Sequence, residues 1–101
     1  MRPMKRSEAI DKLKRRAAAI KAMGATSLYV FGSVAQGGAG RGSDIDLFID
    51  YDPQSRFNAF DLVGLKQFLE TELGVAVDIT TRDGLHPMLR GAIEQSAIRV
   101  F

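Results

Sequence analysis

The chain contains no cysteine. Disulfides, thiolate metal sites and thiol catalysis are thereby excluded, and the composition suits a reducing, cytoplasmic setting. A single histidine, His86, rules out a metal centre built from several imidazoles; beside Pro87 at a helix start, it has an ordinary structural explanation. No apolar run is long enough to cross a bilayer, and the opening MRPMKRSEAI does not read as a secretory signal, so no membrane association is expected. There is no internal repeat and no low-complexity linker. At 101 residues one domain over 1–101 is expected, with a modest core rather than a two-lobed cleft.

Net charge is small, at +2, but the charges are unevenly placed. Residues 1–23 carry eight Lys/Arg against Glu8 and Asp11, a local +6, which leaves −4 on the remainder. A basic element on an acidic body fits either a solvated helix face or a docking surface for a polyanion or an acidic protein.

Apolar spacing through Ile10, Leu13, Ala17 and Ile20, with Ser7 as a cap and Gly24 as a stop, predicts an amphipathic helix over 7–23. Residues 27–31 read as a short buried strand, and five glycines between Gly32 and Ser43 read as a loop. Alternation of Ile45, Leu47 and Ile49 against Asp44, Asp46, Phe48 and Asp50 predicts a second strand over 44–51. A helix over roughly 57–73 follows, with Phe57, Phe60 and Phe68 expected in the core and Gly74 closing it. Val75 to Thr80 is a third strand, Arg82 to Gly84 a turn, Pro87 the start of a short helix to about Ser96, and Ile98 to Phe101 an edge strand. The expected class is α/β (α+β), a single small mixed β-sheet flanked by helices.

Two features in the middle of the chain point to chemistry. Asp44 and Asp46 lie two apart on a strand, so both carboxylates face one side. Like charges that close repel, and a divalent cation removes the repulsion; hard oxygens on a short platform suit Mg²⁺ or Mn²⁺. Gly32-Ser33 follows a buried strand directly. Glycine lets the backbone approach a ligand, and the free N–H groups of a following helical turn, with the Ser33 hydroxyl, can meet a phosphate. An Asp-x-Asp alone fits two exposed acids on a strand, and a Gly-Ser pair alone fits a plain turn. Together, at this spacing, they form a place for a metal–triphosphate. A third acid, Asp78, stands inside the apolar run Val75-Ala76-Val77-Asp78-Ile79, where an unpaired carboxylate is unfavourable. Parity sets it with Ala76 on the face opposite Val75, Val77 and Ile79. Asp50, Asp52 and Asp83 read as structural acids at strand ends and turns.

Gly32-Ser33, Gly37 and Ser43-Asp44-Ile45-Asp46-Leu47 closely resemble the signature of the DNA-polymerase-β-like nucleotidyltransferase superfamily, and within it the minimal nucleotidyltransferases. The resemblance covers essentially the whole chain. It implies the nucleotidyltransferase fold, with Asp44, Asp46 and Asp78 holding two Mg²⁺ ions. It further implies that Gly32, Ser33, Gly37 and Ser43 hold the nucleotide, ATP by preference. The chain departs from the pattern at Gln36, where many members carry a basic residue before the second glycine; Arg41 is a candidate substitute.

The resemblance also implies a protein partner. Minimal nucleotidyltransferases are commonly antitoxins paired with a helical HEPN toxin, onto which they move AMP from ATP. Direct nucleic-acid binding is not expected. Two other readings stay open from the sequence. One is a weakly catalytic binding module of the same fold; the other is a transferase acting on a small molecule or RNA with a partner subunit.

Overall fold

The computed structural model describes residues 5–32 and 45–101. The expected helix over 7–23 is two helices, α1 (Arg6–Arg15) and α2 (Ala17–Ala22). Ser7 is not the cap, because α1 begins one residue before it, with Lys5 at the N-cap. The break falls at Arg16, whose backbone leaves the helical region while its Nε donates to Glu72 Oε2 at 2.9 Å. Apolar spacing carries no sign of this break, since Ala9, Leu13 and Ile20 all reach the core on either side of it. Gly24 ends α2 at φ +116°, and a Cβ there would stand 2.5 Å from the Phe57 ring. A side chain is therefore excluded twice, by conformation and by space.

Strand β1 (Ala25–Phe31) pairs antiparallel with β2 (Ile45–Tyr51). Helix α3 (Ala59–Leu73) then returns the chain so that β3 (Val77–Thr81) lies parallel to β2. A 3₁₀ turn (Arg82–Gly84) and α4 (Pro87–Ser96) lead to β4 (Ile98–Arg99), antiparallel to β1. The sheet order β3-β2-β1-β4 is mixed, and with the four helices of the described residues it makes an α+β fold.

Pleating divides the sheet into two faces. Leu28, Val30, Ile45, Leu47, Ile49, Val77 and Ile79 point to one side and form the core with Ala9, Leu13 and Ile20 of the first two helices and Leu65, Leu69 and Leu73 of α3. The opposite side carries Phe31, Tyr29 and Phe48, with Asp46 and Asp50 on β2 and Asp78 and Thr80 on β3. It has a small apolar layer of its own. Phe48 is fully buried, stacked on Tyr29 with centroids 4.6 Å apart and tilted against Phe31 at 5.8 Å. The second strand thus buries residues on both faces, where alternation had suggested one.

Helix α3 is fixed by a capping box: Asn58 Oδ1 accepts from the Phe60 and Asp61 N–H groups, and Asp61 Oδ2 accepts from the Asn58 N–H. Phe57 lies before the helix, half-buried on Tyr51. Phe60, expected in the core, is 87% exposed. Val63, one turn on, is 52% exposed as well, so this side of α3 faces outward from the core that Leu65 and Leu69 enter. No helix among the described residues is long and apolar enough to cross a membrane.

The Phe48 ring contacts both Tyr29 and Phe31, so removing it leaves a buried gap between them. Phe48→Ala is expected to cost about 3–5 kcal/mol in urea unfolding, the range for a buried Phe, whereas Phe60→Ala stays within about 0.5 kcal/mol.

Candidate active site on the open sheet face

Parallel pairing aligns Asp46 with Asp78. Register partners on adjacent strands are about 4.8 Å apart and project to the same face, so the two carboxylates form a row across β2 and β3. Antiparallel pairing adds Phe31 opposite Asp46 on the other side. Gly32, the next residue, adopts φ +70°, and a Cβ on it would come within 2.3 Å of Asp46 Oδ2. The backbone at the end of β1 therefore lies directly on the Asp46 carboxylate, and only glycine fits there. Asp78 is exposed, so the burial argument for pairing it does not hold; strand register is what brings it to Asp46. Ser33, Gly37, Ser43 and Asp44 lie outside the described residues. Among the described residues no group of three acids or histidines is arranged for a metal ion.

The other end of this face is held by Arg82, which the sequence suggested only as part of a turn. Its Nε and Nη2 donate to Asp50 Oδ1 and Oδ2 at 2.7 and 2.9 Å, and its Nη1 donates to Glu94 of α4. The guanidinium also lies 4.9 Å from the centre of the Phe48 ring and 5.0 Å from that of Tyr29. A flat cation with five donors can serve two carboxylates and a ring face together, which a lysine cannot. Hydrogen bonds donated to Asp50 and then to Glu94 push the Arg82 pKa further above its ordinary value. Reciprocally, the Arg82 fork holds the Asp50 carboxyl below its ordinary 3.8, with burial opposing. The signal available in sequence was weak: Asp50 falls on the same strand parity as Asp46, and Arg82 on that of Asp78.

A recess of about 170 Å³ opens beside this clamp, lined by Ile49, Asp50, Tyr51, Pro53, Arg82 and Asp83. Its arginine is already engaged by two carboxylates, and Asp83 adds a third acid. A phosphate entering there would compete with all of them. The Asp46–Asp78 row, at the opposite ends of the same strands, is the better candidate for metal–phosphate chemistry. Two carboxylates supply hard oxygen donors, and the side-chain-free backbone at Gly32 leaves room beside them.

The family model for the nucleotidyltransferase domain matches residues 7–100. Two Methanocaldococcus jannaschii proteins named as candidate protein adenylyltransferases are 33% and 36% identical over 75 and 72 residues. Those alignments take in 73% and 71% of this chain and 75% of each relative. A solved structure described as a candidate minimal nucleotidyltransferase superposes with a TM-score of 0.67 at 38% identity, over 88% of this chain and 93% of that one. A toxin–antitoxin crystal structure with AMP-PNP reaches a TM-score of 0.66 at 20% identity, over 87% of this chain and 72% of that one; at that identity it speaks for the fold alone.

Gly32→Ala forces a side chain against Asp46 and a positive φ on a residue with a Cβ. A stability loss of about 1–2 kcal/mol is expected, with weaker Mn²⁺ binding by titration calorimetry. Asp50 gives a second prediction. Because its folded pKa is lowered, its contribution is present above its ordinary value and is lost as pH falls through the folded value. Stability measured by urea unfolding from pH 6 down to pH 3 should fall more shallowly below about pH 4 in Asp50→Asn than in the wild type.

Proposed function

Since the chain belongs to the nucleotidyltransferase domain family, we propose that it moves AMP from ATP onto a side-chain hydroxyl of a partner protein, acting as an antitoxin on a helical HEPN-type toxin. The observation that carries this reading is the Asp46–Asp78 row beside the Gly32 cradle. The relatives named as candidate protein adenylyltransferases support a protein acceptor. Solved toxin–antitoxin complexes of the same fold, one with a tri-AMPylated HEPN toxin, support the pairing.

In the proposed reaction the acceptor oxygen attacks the α-phosphorus of ATP in line. A bond forms from that oxygen to phosphorus, the bond from the α-phosphorus to the α,β-bridging oxygen breaks, and pyrophosphate leaves. Asp78, more exposed than Asp46, stands where it can take the hydroxyl proton on a carboxylate oxygen. Gly32 and Ser33 contribute backbone N–H groups and a hydroxyl to the β- and γ-phosphates, with Gly37 and Ser43 completing the loop around them. Asp44, Asp46 and Asp78 would hold two Mg²⁺ ions, which when bound offset the charge of the triphosphate. Most of the rate then comes from positioning and charge neutralisation.

ATP labelled at the α-phosphate, with Mg²⁺ and a HEPN-type toxin, should label the toxin. Asp46→Asn and Asp78→Asn should each lower that labelling about a hundredfold or more. Toxin neutralisation that persists in Asp46→Asn without label would favour a covering, non-catalytic antitoxin, and label on RNA or a small molecule would move the acceptor away from protein. Separately, Mg²⁺ with a non-hydrolysable ATP analogue at about 100 times its Kd should stabilise the fold by about 2.7 kcal/mol; an unchanged melting temperature would count against the assigned site.

A further inference from the structure

Among the described residues strand β3 is an edge strand, with β2 on one side only. The Ile45 N–H donates to the Ala76 carbonyl, so the backbone groups of residues 76, 78 and 80 are turned toward β2. Those of Val77, Ile79 and Thr81 are turned outward. The Val77 N–H is already met, donating to Glu70 Oε2 at 3.0 Å, and the same carboxylate oxygen receives Lys66 Nζ at 3.0 Å. Beyond it the Ile79 and Thr81 N–H groups meet no acceptor among the described residues. The run Val77–Thr81 contains no proline or lysine, the usual means of blunting an exposed edge.

Resting on the nucleotidyltransferase reading, we propose that this edge is the acceptor site: an extended segment of the protein substrate adds to β3 as a fifth strand. The geometry explains how a hydroxyl would reach the acidic row. Side chains at register partners share a face, so the residue opposite Asp78 projects beside Asp78, at the end of the row that Asp46 continues one strand further on. In an antiparallel addition Asp78 falls in the close, non-hydrogen-bonded pair, with Cα atoms about 4.5 Å apart. Backbone hydrogen bonds from Ile79 and Thr81 supply affinity with little regard to sequence, and the position opposite Asp78 selects Ser, Thr or Tyr. Glu70 acts as a gate, because it occupies the outward donor nearest Asp78 on the N-terminal side. An incoming strand has to displace it to extend its pairing to Val77.

The test uses a phage-displayed library of nine-residue peptides with Ser, Thr or Tyr at the centre, selected on the full chain with Mg²⁺ and a non-hydrolysable ATP analogue. Selected peptides should bind about fivefold more weakly to a chain carrying a backbone ester at Ile79, the worth of one net hydrogen bond of about 1 kcal/mol. The ester removes the outward N–H and also weakens the Asp78 carbonyl that faces β2, so the melting temperature should fall slightly, while binding of Mg²⁺ with the ATP analogue should hold and separates loss of the edge donor from loss of the fold. Glu70→Ala, which vacates the Val77 N–H, should tighten the same peptides severalfold. No enriched peptide, or equal binding to the ester chain, overturns the proposal. A peptide that binds through Ile79 but never receives AMP from ATP leaves the strand addition standing and sinks the nucleotidyltransferase reading instead.

Discussion

Parallel pairing between β2 and β3 is the constraint on which the rest of the arrangement hangs. Neighbouring strands in this chain are otherwise antiparallel, and an antiparallel hairpin needs only a short turn. A parallel partner needs a crossover, and α3 provides it, with Leu65, Leu69 and Leu73 buried against the sheet it bridges. The register that results sets Ile45, Leu47 and Ile49 opposite Val77, Ile79 and Thr81, and therefore Asp46 opposite Asp78. Slipping β3 by one residue would turn Asp78 into the core and expose Val77 and Ile79. The hydrophobic effect on one face thus fixes the alignment of charges on the other.

That second face is polarised along the strands. Its β2 end carries Asp46 and, four residues on, Asp50; its β3 end carries Asp78 and, four residues on, Arg82. Four residues of strand span about 13 Å, enough for Phe48 and its neighbours to lie between the two clusters. One cluster is neutralised from within by a guanidinium that serves Asp50 and Glu94. The other sets the carboxylates of Asp46 and Asp78 in register, hard oxygen donors that suit a divalent cation. Burial of Phe48 between them keeps the clusters from merging into a single hydrated patch.

Much of this was legible in the sequence because it depends on short-range periodicity. The four strands and the α3 and α4 helices follow from alternation, helical spacing, a Pro at a helix start and turn residues. Asp46 and Asp78 were named from strand parity and resemblance, although the reason given for Asp78, burial, was the wrong one. What was missed depends on contacts between distant residues. The break at Arg16 answers to Glu72, 56 residues away; the role of Arg82 answers to Asp50, 32 residues back. Exposure of Phe60 depends on which face of α3 meets the sheet, which the sequence around it does not fix.

Helix α4 is joined to the body in an unusual way. It buries no side chain fully, Met88 and Leu89 at its start are exposed, and its recorded tie to the sheet is the ion pair from Arg82 to Glu94. The layer of α1 to α3 shares the main apolar core and opens only with it. A helix that buries no side chain fully belongs to the less stable part of a fold and opens at a lower free energy than the core. The chain therefore has two tiers of order. In the lower tier, release of α4 would free Arg82 from one of its two carboxylates while leaving the acidic row in register.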